Sequence, residues 1–99
     1  MYLLALSLQN LELYSQSSRI YERLTFLPPV KDTVYYNLGL VYGRQGKLDL
    51  AHYNLGIYFT KLRRREKAFF HFKKAKELAK SKPELNEKID KALMDLKRL

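Results

Sequence analysis

The sequence predicts an all-α fold of about six helices stacked as antiparallel hairpins. Apolar residues recur at helical spacing in six consecutive segments, each of roughly 12–16 residues, with short breaks between them. The tetrapeptide Tyr36-Asn37-Leu38-Gly39 returns 17 residues later as Tyr53-Asn54-Leu55-Gly56, so the chain repeats itself at the scale of one helix plus one turn. No period-two alternation competes with these patterns. A length of 99 residues allows one domain, 1–99, with one modest core.

The predicted helices span 2–13, 16–27, 32–45, 47–60, 65–80 and 83–98. The first is almost wholly apolar. The second is stopped by Leu27-Pro28-Pro29, because proline disfavours helix before and within it. Asp32 or Thr33 is expected to cap the third. Gly46 stands where a tight turn needs a positive φ. The boundary from Lys61 to Arg65 contains neither Gly nor Pro and is the least marked. Ser81-Lys82-Pro83-Glu84 reads as a capping box with proline in the first turn. The last helix carries one apolar stripe, Leu85, Ile89, Ala92, Leu93 and Leu96. Its other face is charged, which suits the end of a stack.

Composition excludes several classes of function. There is no cysteine, so disulfides, thiol catalysis and Cys-ligated metals are excluded, while the compartment stays open. No apolar run approaches the roughly 18 residues of a membrane span. The apolar start, Met1 to Leu8, lacks a basic leader and a small-residue cleavage site, so it is not expected to be a signal peptide. The two histidines, His52 and His71, lie in different predicted helices, and no H-E-x-x-H motif exists. No Gly-rich phosphate loop is present. The carboxylates Glu84, Glu87, Asp90 and Asp95 lie among lysines on a solvated face. A non-catalytic protein without metal or cofactor is therefore expected.

The pattern Tyr35-x-x-Leu38-Gly39-x-x-Tyr42 resembles the first helix of a tetratricopeptide repeat, with Tyr in the usual Trp place. His52-x-x-Leu55-Gly56-x-x-Phe59 fits the same half-pattern. Ala68-x-x-x-Phe72-x-x-Ala75 resembles the second helix of that repeat. Met1, Leu4, Ala5 and Leu8 fit a first helix more loosely, with Tyr21, Leu24 and Pro29 following at second-helix spacings. The resemblance implies a right-handed solenoid; by spacing alone Leu38 and Tyr42, one turn apart, face a neighbouring helix, and Gly39, Ala51 and Ala68 allow close approach. Units near 1–31, 32–65 and 66–99 are expected, with 83–98 capping the stack. A second register, with a repeat from near Asp49 to near Lys82, fits the same pattern. The first unit begins about three residues into a full repeat, which leads us to expect a longer parent protein.

The resemblance also implies a job: a scaffold that binds a peptide or partner segment in a concave groove lined by the first helix of each unit. The positions carried over are Tyr2, Leu6, Gln9 and Asn10, then Tyr36, Leu40, Gly43 and Arg44, then Phe70, Lys74 and Glu77. This mix suits an apolar segment with an acidic group. Leu6 and Leu40 stand where family members that grip C-terminal carboxylates carry Asn, which argues against that specialised clamp.

Charge supplies the alternative. Residues 1–60 hold five Lys/Arg and four Asp/Glu, whereas 61–99 hold fourteen and six. The cluster Lys61, Arg63, Arg64, Arg65 and Lys67, extended by Lys73, Lys74, Lys76 and Lys80, offers a basic surface over 61–80 for nucleic acid or another anionic partner. These residues wrap around the predicted helix instead of forming one stripe. A third reading rests on a fainter likeness. Tyr53 to Phe59, followed by Ala68 to Phe72, is similar to the C-terminal repeats of bacterial zinc metalloproteases, which implies a substrate-guiding tail.

Overall fold

A computed structural model describes residues 1–99 and contains six α-helices: α1 (Tyr2–Asn10), α2 (Tyr14–Leu24), α3 (Asp32–Arg44), α4 (Leu48–Lys61), α5 (Arg65–Leu78) and α6 (Pro83–Leu96). Each helix packs on the one before it, and α6 also touches α4. The result is a stack of adjacent antiparallel helix pairs, as expected from the sequence. Its Cα radius of gyration is 13.0 Å, the value of a compact chain of this length.

The turns explain the periodicity. Glu12, Gly46 and Arg63 all have positive φ, at 60°, 76° and 58°. Each ends a helix, and each is succeeded by the same closing bond: Leu13 N–H to Leu8 O, Lys47 N–H to Tyr42 O, and Arg64 N–H to Phe59 O, at 2.8–2.9 Å. This is the glycine-type helix stop used three times, although only one position is glycine. Glu12 in this conformation ends α1 at Asn10, earlier than the predicted 13, and without glycine neither that stop nor the α4–α5 boundary is marked in sequence.

The expected caps are not made. Lys31, not Asp32 or Thr33, is the N-cap of α3, and no side chain bonds there. The N-cap of α6 is Lys82, with Pro83 at the first helical position and no capping box from Ser81. Asn86 takes over locally, its amide donating to Ala79 O at 2.5 Å. Lys82 instead reaches across to α4 and donates to Asp49 Oδ2 at 2.5 Å.

Two cores lie along the stack. The first gathers Ala5, Tyr21, Val34, Leu38, Val41, Tyr42 and Ala51. The second gathers Ala68, Phe72, Ala75, Ala79, Leu85, Ile89 and Leu96. Leu50 packs against both. Small residues set the helix spacing. A Cβ on Gly39 would lie 2.9 Å from Leu55 Cγ, and one on Gly56 would lie 2.5 Å from the Phe72 ring. These glycines, 17 residues apart, are where α3 meets α4 and α4 meets α5. Buried tyrosine hydroxyls find partners, as they must. Tyr21 donates to Gln9 Oε1 and Tyr42 to Glu22 Oε2, each at 2.6 Å. Burial, with Tyr2 nearby, pushes the Tyr21 hydroxyl up to about 12.

Candidate functional site

A concave surface runs along α4. One hollow of about 350 Å³ is floored by Tyr35, Leu38, Leu50, Tyr53 and Ile57, with Glu22 and Phe26 on one side and Leu85 and Lys88 on the other. A second hollow of about 250 Å³ continues it between α4 and α6, taking in Lys61, Lys88, Lys91, Ala92 and Asp95. The two share Tyr53, Ile57 and Lys88, so they form one trough. It exists because α6 leans mainly on α5 and leaves this side of α4 open.

The trough has an apolar floor and a rim with more lysine than carboxylate. Glu22 is already engaged by the Tyr42 hydroxyl. The Lys61 ammonium sits 5.4 Å from the Tyr35 ring centroid, held by the ring's negative face. Burial, with Asp32 close by, raises the Tyr35 hydroxyl above its ordinary value, and burial, with Tyr35 close by, does the same for Tyr53. Both hydroxyls therefore remain donors at neutral pH.

None of the groove positions expected from the sequence lines this trough. Tyr2 pins the first hairpin to the second: its hydroxyl donates to Thr33 Oγ1 at 2.9 Å and accepts from Asn37 Nδ2 at 3.1 Å. Leu6 and Gln9 are half-buried, and Gln9 is taken by Tyr21. Asn10 is the exposed last residue of α1. Tyr36, Leu40 and Arg44 are exposed on α3, and Gly43 is half-buried beside them. Phe70, Lys74 and Glu77 are exposed on α5, where Lys74 lies 4.0 Å from Glu77.

Tyr36 and Phe70 are nevertheless joined by side chains of α4 and α5 that sequence reasoning missed. Tyr36 leans on Tyr58 with ring centroids 5.1 Å apart. Tyr58 meets Phe59, and Phe59 stacks on His71 at 5.4 Å. His71 stacks on His52, with the two Nδ1 atoms 2.9 Å apart, and Phe70 stands edge-on to both histidine rings. One imidazole must donate and the other accept, so at least one ring is held neutral. Burial lowers both histidines, helped at His52 by Lys74 and at His71 by His52. Folding α4 and α5 back about a turn near residue 62 was the signal that could have paired residues 52 and 71.

The basic cluster is exposed throughout but points in several directions. Lys61 turns to Tyr35, and Lys67 lies 5.5 Å from the Phe59 ring centroid. Arg63, Arg64, Arg65, Glu66 and Lys67 surround a shallow hollow of about 300 Å³ at the α4–α5 turn. Arg65 also donates to Lys97 O at 3.0 Å. No three His, Cys, Asp or Glu side chains gather as a metal site. No helix is long and apolar enough to cross a membrane.

Comparison with known proteins agrees with this architecture. A tetratricopeptide-repeat family model matches residues 32–52 and 50–82. The second match spans most of α4 and all of α5. No curated protein and no solved structure matches the chain, and nothing supports the likeness to zinc metalloproteases.

Proposed function

The chain belongs to the tetratricopeptide-repeat family, whose repeats typically form protein–protein interaction modules, and on that premise we propose that it binds a partner segment in the trough along α4. The observation that carries this reading is the shared lining of the two hollows, Tyr53, Ile57 and Lys88, which makes one elongated site. Apolar anchors on the partner would lie on Tyr35, Tyr53 and Ile57. Acidic groups flanking them would meet Lys61, Lys88 and Lys91. Aromatic floors of this kind supply affinity at low entropic cost, and the lysine rim speeds encounter. The unit division 1–31, 32–65 and 66–99 and the groove positions on α1, α3 and α5 form the competing geometry.

A displayed peptide library selected on the whole chain at moderate salt tests the proposal. Apolar–acidic peptides should be enriched. The Lys61→Glu/Lys88→Glu variant should bind them about tenfold more weakly or worse, a loss of at least about 1.4 kcal/mol. Tyr36→Ala/Arg44→Ala should leave them unchanged. The reverse pattern would move the site to the α3–α5 face. A short anionic oligonucleotide that binds more tightly than any selected peptide, and is released steeply by salt, would favour the basic surface over 61–80 instead.

A further inference from the structure

A hollow of about 680 Å³, larger than either part of the trough, lies elsewhere, in the cleft between the N-terminal half of α5 and the end of α6. This is within the roughly 300–1,000 Å³ of small-molecule sites. Its apolar lining is Phe69, Leu93 and Leu96. Leu96 belongs to the second core and Leu93 packs against it, so the cleft floor is the core itself. Phe69 lines the same cleft as these leucines and is half-exposed.

Charge surrounds this floor. Arg65, Phe69 and Lys73 fall at i, i+4 and i+8 on one face of α5. With Lys97 from the end of α6 they set three cations around the cleft. The Lys73 ammonium lies 6.0 Å from the Phe69 ring centroid, bringing it over the apolar surface. Glu66 is the sole carboxylate in the lining. The lining includes no amide or hydroxyl side chain, so it offers little to the repeating polar groups of a peptide backbone. It offers an apolar floor with Arg65 and Lys97 at one end and Lys73 at the other.

We propose that the α5–α6 cleft binds a free long-chain carboxylate. Its alkyl chain would lie on Phe69, Leu93 and Leu96, running toward Lys73, and its head group would sit at the end where Arg65 and Lys97 meet. The site is separate from the trough along α4 and does not depend on it.

The test is titration of the whole chain with sodium dodecanoate, below its micelle-forming concentration, monitored by backbone amide shifts. Saturation at one ligand per chain, with shifts confined to 65–73 and 93–97, is expected. Arg65→Glu/Lys97→Glu should weaken binding about tenfold or more with helicity unchanged, because a charge-assisted contact becomes repulsive. Dodecyltrimethylammonium should bind about tenfold more weakly than dodecanoate, since it reverses the head-group charge. Shifts spread over the whole chain, no saturation, or equal binding of the cationic analogue would overturn the proposal, and these readouts need no variant. An acidic leucine-rich peptide that displaces dodecanoate from the same amides at lower concentration would replace it by a protein ligand.

Discussion

A methyl group added at Gly56 would sit 2.5 Å from a ring carbon of Phe72, and Phe72 is itself buried in the second core. Neither can move cheaply, so Gly56→Ala should cost about 1–3 kcal/mol through overpacking. Gly39→Leu should be at least as damaging, since its Cβ alone meets Leu55 at 2.9 Å and the Ala51 carbonyl at 3.2 Å. Gly43 is the control. A Cβ there meets only Ala51 Cβ at 4.0 Å, so Gly43→Ala should stabilise α3 by about 0.5–1 kcal/mol. Urea midpoints of the variants decide among these, and a neutral Gly56→Ala would refute the close-approach argument. Asp49 is a second residue with a readable cost. It is nearly buried, and burial alone would raise its carboxyl. The Lys82 ammonium and the Leu50 N–H bond to it, however, and they hold it below the usual carboxylate range. Its stabilisation is therefore complete above the ordinary Asp value near 4 and lost as pH falls through the lowered one. Asp49→Asn should cost about 1–2 kcal/mol at neutral pH and flatten the acid limb of the stability curve.

Between elements, the turn at Arg63 repeats the geometry of Gly46 with a residue that pays sterically for it. Left-handed backbone costs a non-glycine residue roughly 1–2 kcal/mol, partly offset by glycine's larger unfolded-state entropy. Arg63→Gly should therefore raise stability by up to about 1 kcal/mol, while Gly46→Ala should lower it by a similar amount. Thermal unfolding of both variants checks the opposed signs. The α4–α5 contact also carries the His52–His71 pair. Both histidines are held below their ordinary value, so the folded chain binds fewer protons than the unfolded chain in the region of pH 6.5 and just below. Stability should thus be full above that value and fall as pH drops through the lowered ones. His71→Phe should remove His71's share of that pH dependence and leave the share of His52, which burial and Lys74 still lower. An unchanged slope would show that the pair does not titrate with folding. At the α5–α6 junction, Ser81 makes no capping bond, so Ser81→Ala should alter stability by less than about 0.5 kcal/mol.

Over the whole molecule, two cores bridged by Leu50 make stability local, as in stacked-repeat proteins. Ending the chain after Ser81 would remove Leu85, Ile89 and Leu96 together with the Lys82 bond to Asp49. Amide exchange should then quicken across α5, while the amides around Tyr21, Leu38 and Val41 keep most of their protection. Uniform loss of protection would mean that the two cores fold as one unit. The uneven charge belongs to this scale too. Fourteen cations against six carboxylates leave a net +8 over 61–99, on the α4–α5 turn and the α5–α6 pair. It flanks both the trough and the cleft, so it biases the whole end of the stack toward anionic groups.

Spacing along one helix was enough to identify α-helices, their number and most of their inward faces. Leu38, Tyr42, Ala68, Phe72, Ala75, Leu85 and Ile89 are buried as their periodicity requires, because which side of a helix is apolar is written locally. The repeat of Tyr-Asn-Leu-Gly likewise exposed the unit of construction, because each close helix contact needs the same small residue. Helix ends were less legible, since Glu12 and Arg63 adopt a conformation that their side chains do not announce. The trough along α4 was not legible from one helix at a time. Tyr35, Tyr53, Ile57 and Lys88 become neighbours only when α6 returns alongside α4, and His52 meets His71 only when α4 and α5 fold back on each other. Those contacts depend on how helices cross, which is settled by packing among residues far apart in the chain.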